Sequence, residues 1–437
     1  MNKNIKLAVA GAVLAMSETA ANAGIIIPAG DWTLDINGNV NAYMNFTKGK
    51  DNNVVTGGLA ATEQATGSST VKGINTGLLP AWIGFTGKTR QNDLDVEFTI
   101  SMQPGVSAND ISGDGAFVDG TTASNGSKML NRQTYVSFGD KSWGSFKLGK
   151  DIGIFAQDAI LNDMTLLGVG SGAGLSGSTA NTTNGGIGTG YLYAAWKGQV
   201  AYTTPNMNGF QATVGITNPN MGGLTTSQDR FGFEGKASYS FAANDMTGKI
   251  WVSGLSNKVN TNAVDAVAAA YGCLAVSDGV TVCATANNTI VRAAVTAVPS
   301  YEYTASVFDI GANLNVAGFG LTGYYYDGRG VGTTLVGSNA ISGDGARRDS
   351  NGGYVQLTYV LPVKTKLGLA YGTSRLDMAG NDATTLLKTN DRVTVGAYHP
   401  LTKHLNLVAE YNHITAENHA GAENKSYTGS LGAILFF

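Results

Sequence analysis

Histidines, cysteines and closely spaced carboxylates are the residues of this 437-residue chain best suited to proton transfer, metal binding or nucleophilic attack. His399, His404, His413 and His419 gather near the C-terminus. Two fall beside a short connection and two beside a long one, at opposite ends of the fold read below, so no shared metal site is expected. Asp93, Asp95 and Glu97 are spaced by two, which places them on one face of a strand as a wet lining rather than as an acid and base pair. Gly170-Ser171-Gly172-Ala173-Gly174-Leu175 lacks the third glycine and the βαβ setting of a dinucleotide loop. No nucleophile motif accompanies His413 or His419, as a membrane hydrolase would need. Neither a catalytic residue nor a metal nor a cofactor is therefore assigned. Asp158 and Asp163 differ in setting: Ile154 to Met164 reads as a short helical turn within the long segment 151–191, ahead of a Gly/Ser/Thr-rich run from 168 to 190. Carboxylates there would act on a passing solute through their field.

Composition narrows the class. Sixty glycines exclude neither order nor a sheet, and they carry no Gly-X-Y period. A charged fraction of 14% and a net charge of −3 offer no basic stripe for phosphates, so nucleic acid is not an expected partner. Hydrophobic residues at 43% exclude disorder. Residues 1–23 read as a secretory signal, with Lys3 and Lys6, an apolar stretch from Leu7 to Met16, and a small-residue cleavage site at Ala21-Asn22-Ala23. One domain, 24–437, follows. Export to an oxidising compartment makes a local disulfide the expected state of Cys273 and Cys283.

The elements that would carry these groups have a period of two. Trp32, Leu34, Ile36, Val40, Ala42, Met44 and Phe46 alternate with Thr33, Asp35, Asn37, Asn39, Asn41 and Asn45. Leu94, Val96, Phe98, Ile100 and Met102 alternate with polar residues in the same way, and so do later stretches. Strands are expected near 31–46, 78–89, 93–103, 130–139, 143–150, 192–204, 209–217, 229–241, 247–256, 300–316, 318–326, 352–361, 364–374, 390–399, 404–414 and 425–437. Short and long connections between them alternate. In lipid every backbone amide must be paired, which a sheet achieves only by closing on itself. The apolar faces carry no charge, and a Lys or Arg at the bilayer midplane costs roughly 2–4 kcal/mol. The reading is an all-β, antiparallel transmembrane barrel of about sixteen strands, with short periplasmic turns and long extracellular loops. Trp32, Phe241, Tyr359 and Phe437 would belong to the short-turn rim, and Phe46, Tyr371, Tyr411 and Tyr427 to the long-loop rim.

Particular stretches add to this. Tyr427-Thr-Gly429-Ser-Leu431-Gly-Ala433-Ile-Leu435-Phe-Phe437 resembles the last strand of outer-membrane barrels, whose terminal aromatic, here Phe437, is recognised by the barrel-assembly machinery. Asn131 to Phe138, Trp143 to Lys150 and Val200 to Phe210 resemble the Gram-negative general porin family, over essentially the mature chain. Lys150 departs from it, standing where an Arg is common, and so do the long segments 47–77 and 257–299. The resemblance implies a homotrimer in the outer membrane, with the third loop folded into each lumen. It also implies a basic wall opposite Asp158 and Asp163, for which Arg132, Lys88, Lys147 and Lys197 are the candidates. The implied function is a water-filled channel for passive diffusion of ions and small hydrophilic solutes. A substrate-specific channel with a binding lumen, or a barrel acting as adhesin or scaffold, remains the alternative.

Overall fold

The computed structural model describes residues 24–63, 70–104, 130–171, 182–219, 226–227, 229–263, 270–271, 274–276, 280–282, 290–292 and 299–437. The signal segment 1–23, Cys273 and Cys283 lie outside the described residues.

Sixteen antiparallel strands close into one barrel. They are β1 (Trp32–Lys50), β2 (Trp82–Gln91), β3 (Leu94–Gln103), β4 (Leu130–Asp140), β5 (Gly144–Ile152), β6 (Trp196–Thr203), β7 (Phe210–Thr217) and β8 (Gly232–Ala243), followed by β9 (Met246–Thr261), β10 (Glu302–Val316), β11 (Phe319–Arg329), β12 (Asp349–Val360), β13 (Lys366–Leu376), β14 (Leu387–Pro400), β15 (Leu405–Asn418) and β16 (Glu423–Phe436). Each pairs with its sequence neighbours, and β16 pairs with β1 from Asn39↔Phe436 to Lys50↔Lys425. No sheet edge is left open along the seam, as a barrel in lipid requires.

Alternation sets which face is which. On β1, Asn39, Asn41 and Asn45 are buried on the lumen side, whereas Val40, Met44 and Phe46 are 57%, 48% and 45% exposed on the outside. A protein dissolved in water would reverse that order, so the outer wall is built for an apolar solvent. At the short-turn rim, Asn92 and Asp93 both take positive φ, 49° and 63°, the geometry of a tight hairpin turn whose twist matches its strands. Asp93 therefore belongs to the turn rather than to the lumen wall.

Two short strands escape the alternation reading. Ile25–Ala29 pairs with the first residues of β1, from Ile25↔Ile36 to Ala29↔Trp32. Thr70–Asn75 pairs with the upper half of β1, and β2 with its lower half. Between them residues 76–81 leave the wall and enter the lumen, so the strand expected from residue 78 begins at Trp82. Pro80 has no N–H to give a ladder. Its carbonyl and that of Leu79 instead accept from Asn39 and Asn41, at 3.0 and 2.8 Å.

Candidate functional site

The long connection between β5 and β6 folds into the barrel and meets the inner wall at successive points. It leaves β5 at a buried anchor. Glu234 of β8 accepts the backbone N–H of Ile154 and Phe155 at 2.8 and 2.9 Å, and Lys197 donates to the same carboxylate at 2.7 Å. Both side chains are almost completely buried. One turn of helix follows, α1 (Gln157–Leu161), entered through the buried Ala156 at φ 58°; its Asp158, Ala159 and Ile160 are buried and Leu161 is exposed. Farther along, Gln356 of β12 donates to the Asn162 carbonyl and accepts from Met164 N–H. The carboxylate of Glu410 on β15 accepts from Val169 and Gly170 N–H at 2.9 and 2.8 Å and from the Tyr398 hydroxyl at 2.7 Å. Gly168 then accepts from Leu78 N–H, joining this loop to the inward segment of the first.

The two carboxylates singled out in this loop occupy different settings. Asp158 sits on α1 and forms ion pairs with Lys236 of β8, at 3.3 Å, and with Lys249 of β9. Burial alone would raise its carboxyl, but the two ammonium groups outweigh it and hold Asp158 below the usual carboxylate range. Asp163 begins a short 3-10 turn (Met164–Leu167), where its side chain accepts from Thr165 N–H. It also accepts from the Thr165 hydroxyl at 2.8 Å, Gly186 N–H at 3.0 Å and the Tyr191 hydroxyl at 2.6 Å, and is 1% exposed. Arg392 of β14 comes within 3.9 Å.

None of the four expected bases is paired with Asp158 or Asp163. Lys197 is held by Glu234. Lys147 pairs with Asp151, which also accepts from Gln133, and its ammonium lies 4.6 Å from the Tyr135 ring centroid. It is within electrostatic reach of Lys236. Arg132, beside a register shift between β3 and β4, lies between Trp82 and Trp196 at 4.9 and 4.3 Å. Lys88 is near the short-turn rim, exposed, with Glu97 at 3.3 Å. Lys236, Lys249 and Arg392 were legible as interior bases from their place on polar strand faces, but strand alternation does not give height along the barrel. Below α1 a cavity of about 370 Å³ opens, lined by Asp158, Asn162, Lys249, Asn313, Gln356 and Lys366 among others.

No helix among the described residues is long and apolar enough to cross a membrane, which says nothing against crossing by strands. A family model described as Gram-negative porin matches residues 7–419. The chain belongs to the Gram-negative porin family. This porin is accordingly an outer-membrane, multi-pass β-barrel channel for passive diffusion of solutes. Solved structures share its fold at low identity. The outer-membrane channel DcaP of Acinetobacter baumannii is 16% identical with a TM-score of 0.60, covering 95% of this chain and all of its own. An anion-selective porin from Comamonas acidovorans is 13% identical at 0.56, covering 93% and 100%. In-vitro folded OmpT of Vibrio cholerae, in a trimer form, is 14% identical at 0.50, covering 93% and 99%. No curated protein matches the sequence.

Proposed function

We propose that ions and small hydrophilic solutes are selected where α1 narrows the lumen, by a transverse field rather than by a tight binding site. The observation that carries this reading is Asp158, the loop carboxylate held against two lysines, Lys236 and Lys249, with Lys147 and its partner Asp151 on nearby wall. Fixed charges of opposite sign act on a solute only where the passage is tight. Arg132 belongs to the basic side of this field, braced by its two tryptophans. Lys197 and Asp163 act on it indirectly, by fixing the loop, and Lys88 acts only at the periplasmic mouth. In this reading the porin performs no catalysis, assembles as a homotrimer as the OmpT trimer form does, and presents Phe437 to the assembly machinery.

Planar-bilayer recording tests it. Stepwise insertion with three equal closing levels, and linear conductance with salt, are expected. Conductance that saturates with one solute and is blocked by it would replace the field reading with a binding lumen.

A further inference from the structure

Two carboxylates fasten the later part of the long loop, Asp163 within it and Glu410 on β15, and both are almost completely buried. Each takes its hydrogen bonds from uncharged donors: peptide N–H groups and the hydroxyls of Thr165, Tyr191 and Tyr398. Such donors favour the ionised form but leave its charge uncancelled, and two like charges kept out of water are costly. A buried cation would offset both.

Arg392 of β14 is placed to do so. It is 2% exposed, and its Nη2 lies 3.9 Å from Asp163 Oδ1. Glu410 is within its electrostatic reach, and a relay of hydrogen bonds leads there. Arg392 Nη1 donates to the Thr394 hydroxyl at 3.0 Å, that hydroxyl donates to Asn412 at 2.5 Å, and Asn412 Nδ2 donates to Glu410 at 3.4 Å. Thr394 is level with Asn412, and Gly396 with Glu410, so the relay steps down successive lumen-facing rungs of β14 and β15. Arg392 Nε has no partner among the described residues. The guanidinium is thus not locked as a fork onto one carboxylate, and serves the two as a charge. Gly186 keeps the approach open: a Cβ there would lie 2.6 Å from Asp163 Oδ2 and 2.7 Å from Arg392 Nη2. Tyr191, Tyr354 and Tyr398 face the same place as hydroxyls that are neutral at pH 7. Lys366 of β13, 5.1 Å from the Tyr398 ring centroid, assists from within electrostatic reach of Asp163.

We infer that Arg392 is a positioning residue for the loop in the lumen: its buried charge lets Asp163 and Glu410 stay ionised together, and so holds the loop at two places. Buried as it is, it acts through the loop rather than on a solute. The inference stands whether the loop selects solutes by its field or by its bulk alone.

The test is single-channel recording of the folded full-length porin, with the temperature at which the compact gel band is lost. Arg392→Gln strands the two carboxylates and should make brief closures on the order of ten-fold more frequent, with a lower transition temperature. Glu410→Gln removes one of those charges, while its amide oxygen can still accept from Val169 and Gly170 and its NH2 group can donate to the Tyr398 hydroxyl. Added to Arg392→Gln, it should bring closures back to within about three-fold of wild type, because removing both members of a buried pair costs far less than removing one. Arg392→Lys keeps the charge, loses the bond to Thr394, and should lie nearer wild type than Arg392→Gln. Were Arg392 there only for packing, the second substitution would add damage instead of repairing it. Wild-type behaviour of Arg392→Gln, a double variant no quieter than it, or Arg392→Lys as disturbed as Arg392→Gln would overturn the inference. Should Arg392→Gln alone fail to form the compact band, recovery of the band in the double variant supports the inference, and failure of both overturns it.

Discussion

Asp158 and Asp163 lie five positions apart in one loop, yet they belong to two different regions of it. The first stretch, α1, turns a charged face toward lysines of β8 and β9 that keep some contact with the lumen. The second, from Asp163 onward, is packed against the wall and its carboxylate is consumed by hydroxyl and backbone donors of the loop itself. The difference teaches that a carboxylate in this lumen is a field-setting group only when its partners are ammonium groups that keep some exposure to the lumen. When its partners are peptide N–H groups it is a strut.

The largest effect is expected where the strut is cut. Asp163→Ala leaves Gly186 N–H, Thr165 N–H and the Tyr191 hydroxyl without their acceptor in a fully buried place, a loss of about 3–5 kcal/mol. The loop should come loose, read as noisy, enlarged single-channel conductance and a lower temperature for loss of the compact gel band. An unchanged trace would mean that the loop does not depend on this residue, and the two regions would no longer be distinct.

Asp158→Asn keeps shape and removes charge, so the fold should hold. Lys236 and Lys249 are then uncompensated, and the reversal potential in a salt gradient should move toward anions by several millivolts or more. If selectivity stays put while conductance becomes noisy, Asp158 is a strut as well.

Acid offers a milder version of that change. Because Asp158 is held below the ordinary carboxylate range, its charge and the stability its ion pairs supply are fully present above about pH 4. Both are lost as pH falls through the depressed value. Selectivity should therefore be flat from neutral pH to about 4 and shift toward anions only below, with Asp158→Asn showing no such acid step.

The smallest effect belongs to Lys88→Gln. Its pair with Glu97 is exposed to solvent and worth at most about 1 kcal/mol. Ion preference and heat stability should both stay within experimental scatter of wild type.

Strand number, closure and the outward apolar face were legible in the sequence because lipid imposes them residue by residue, as in the Asn39, Asn41, Asn45 series against Val40, Met44, Phe46. The inward excursion of residues 76–81 was not, since its apolar residues Leu78 and Ala81 imitate a strand while packing inside the lumen. That two of the interior bases, Lys236 and Lys249, pair with Asp158 was not legible either. Lys236 and Lys249 come from strands brought beside α1 only by the curvature of the barrel and the path of the loop, neither of which leaves a periodic trace. The Glu234 and Glu410 anchors had the same difficulty: each was readable as a polar lining residue, but their partners are backbone N–H groups, which every non-proline residue possesses.

The seam between β1 and β16 brings together residues separated by almost the whole chain, and Gly38 exchanges two backbone hydrogen bonds with Phe437. Just beyond that point Ile25–Ala29 takes over as the partner of β1. Closure is thus the contact of greatest sequence separation, and its entropic cost falls due only after the hairpins have formed. An unfinished ring would expose two raw edges able to recruit strands from other molecules. Assembly of this wall is therefore a race between zipping shut and joining a neighbour, decided at one place.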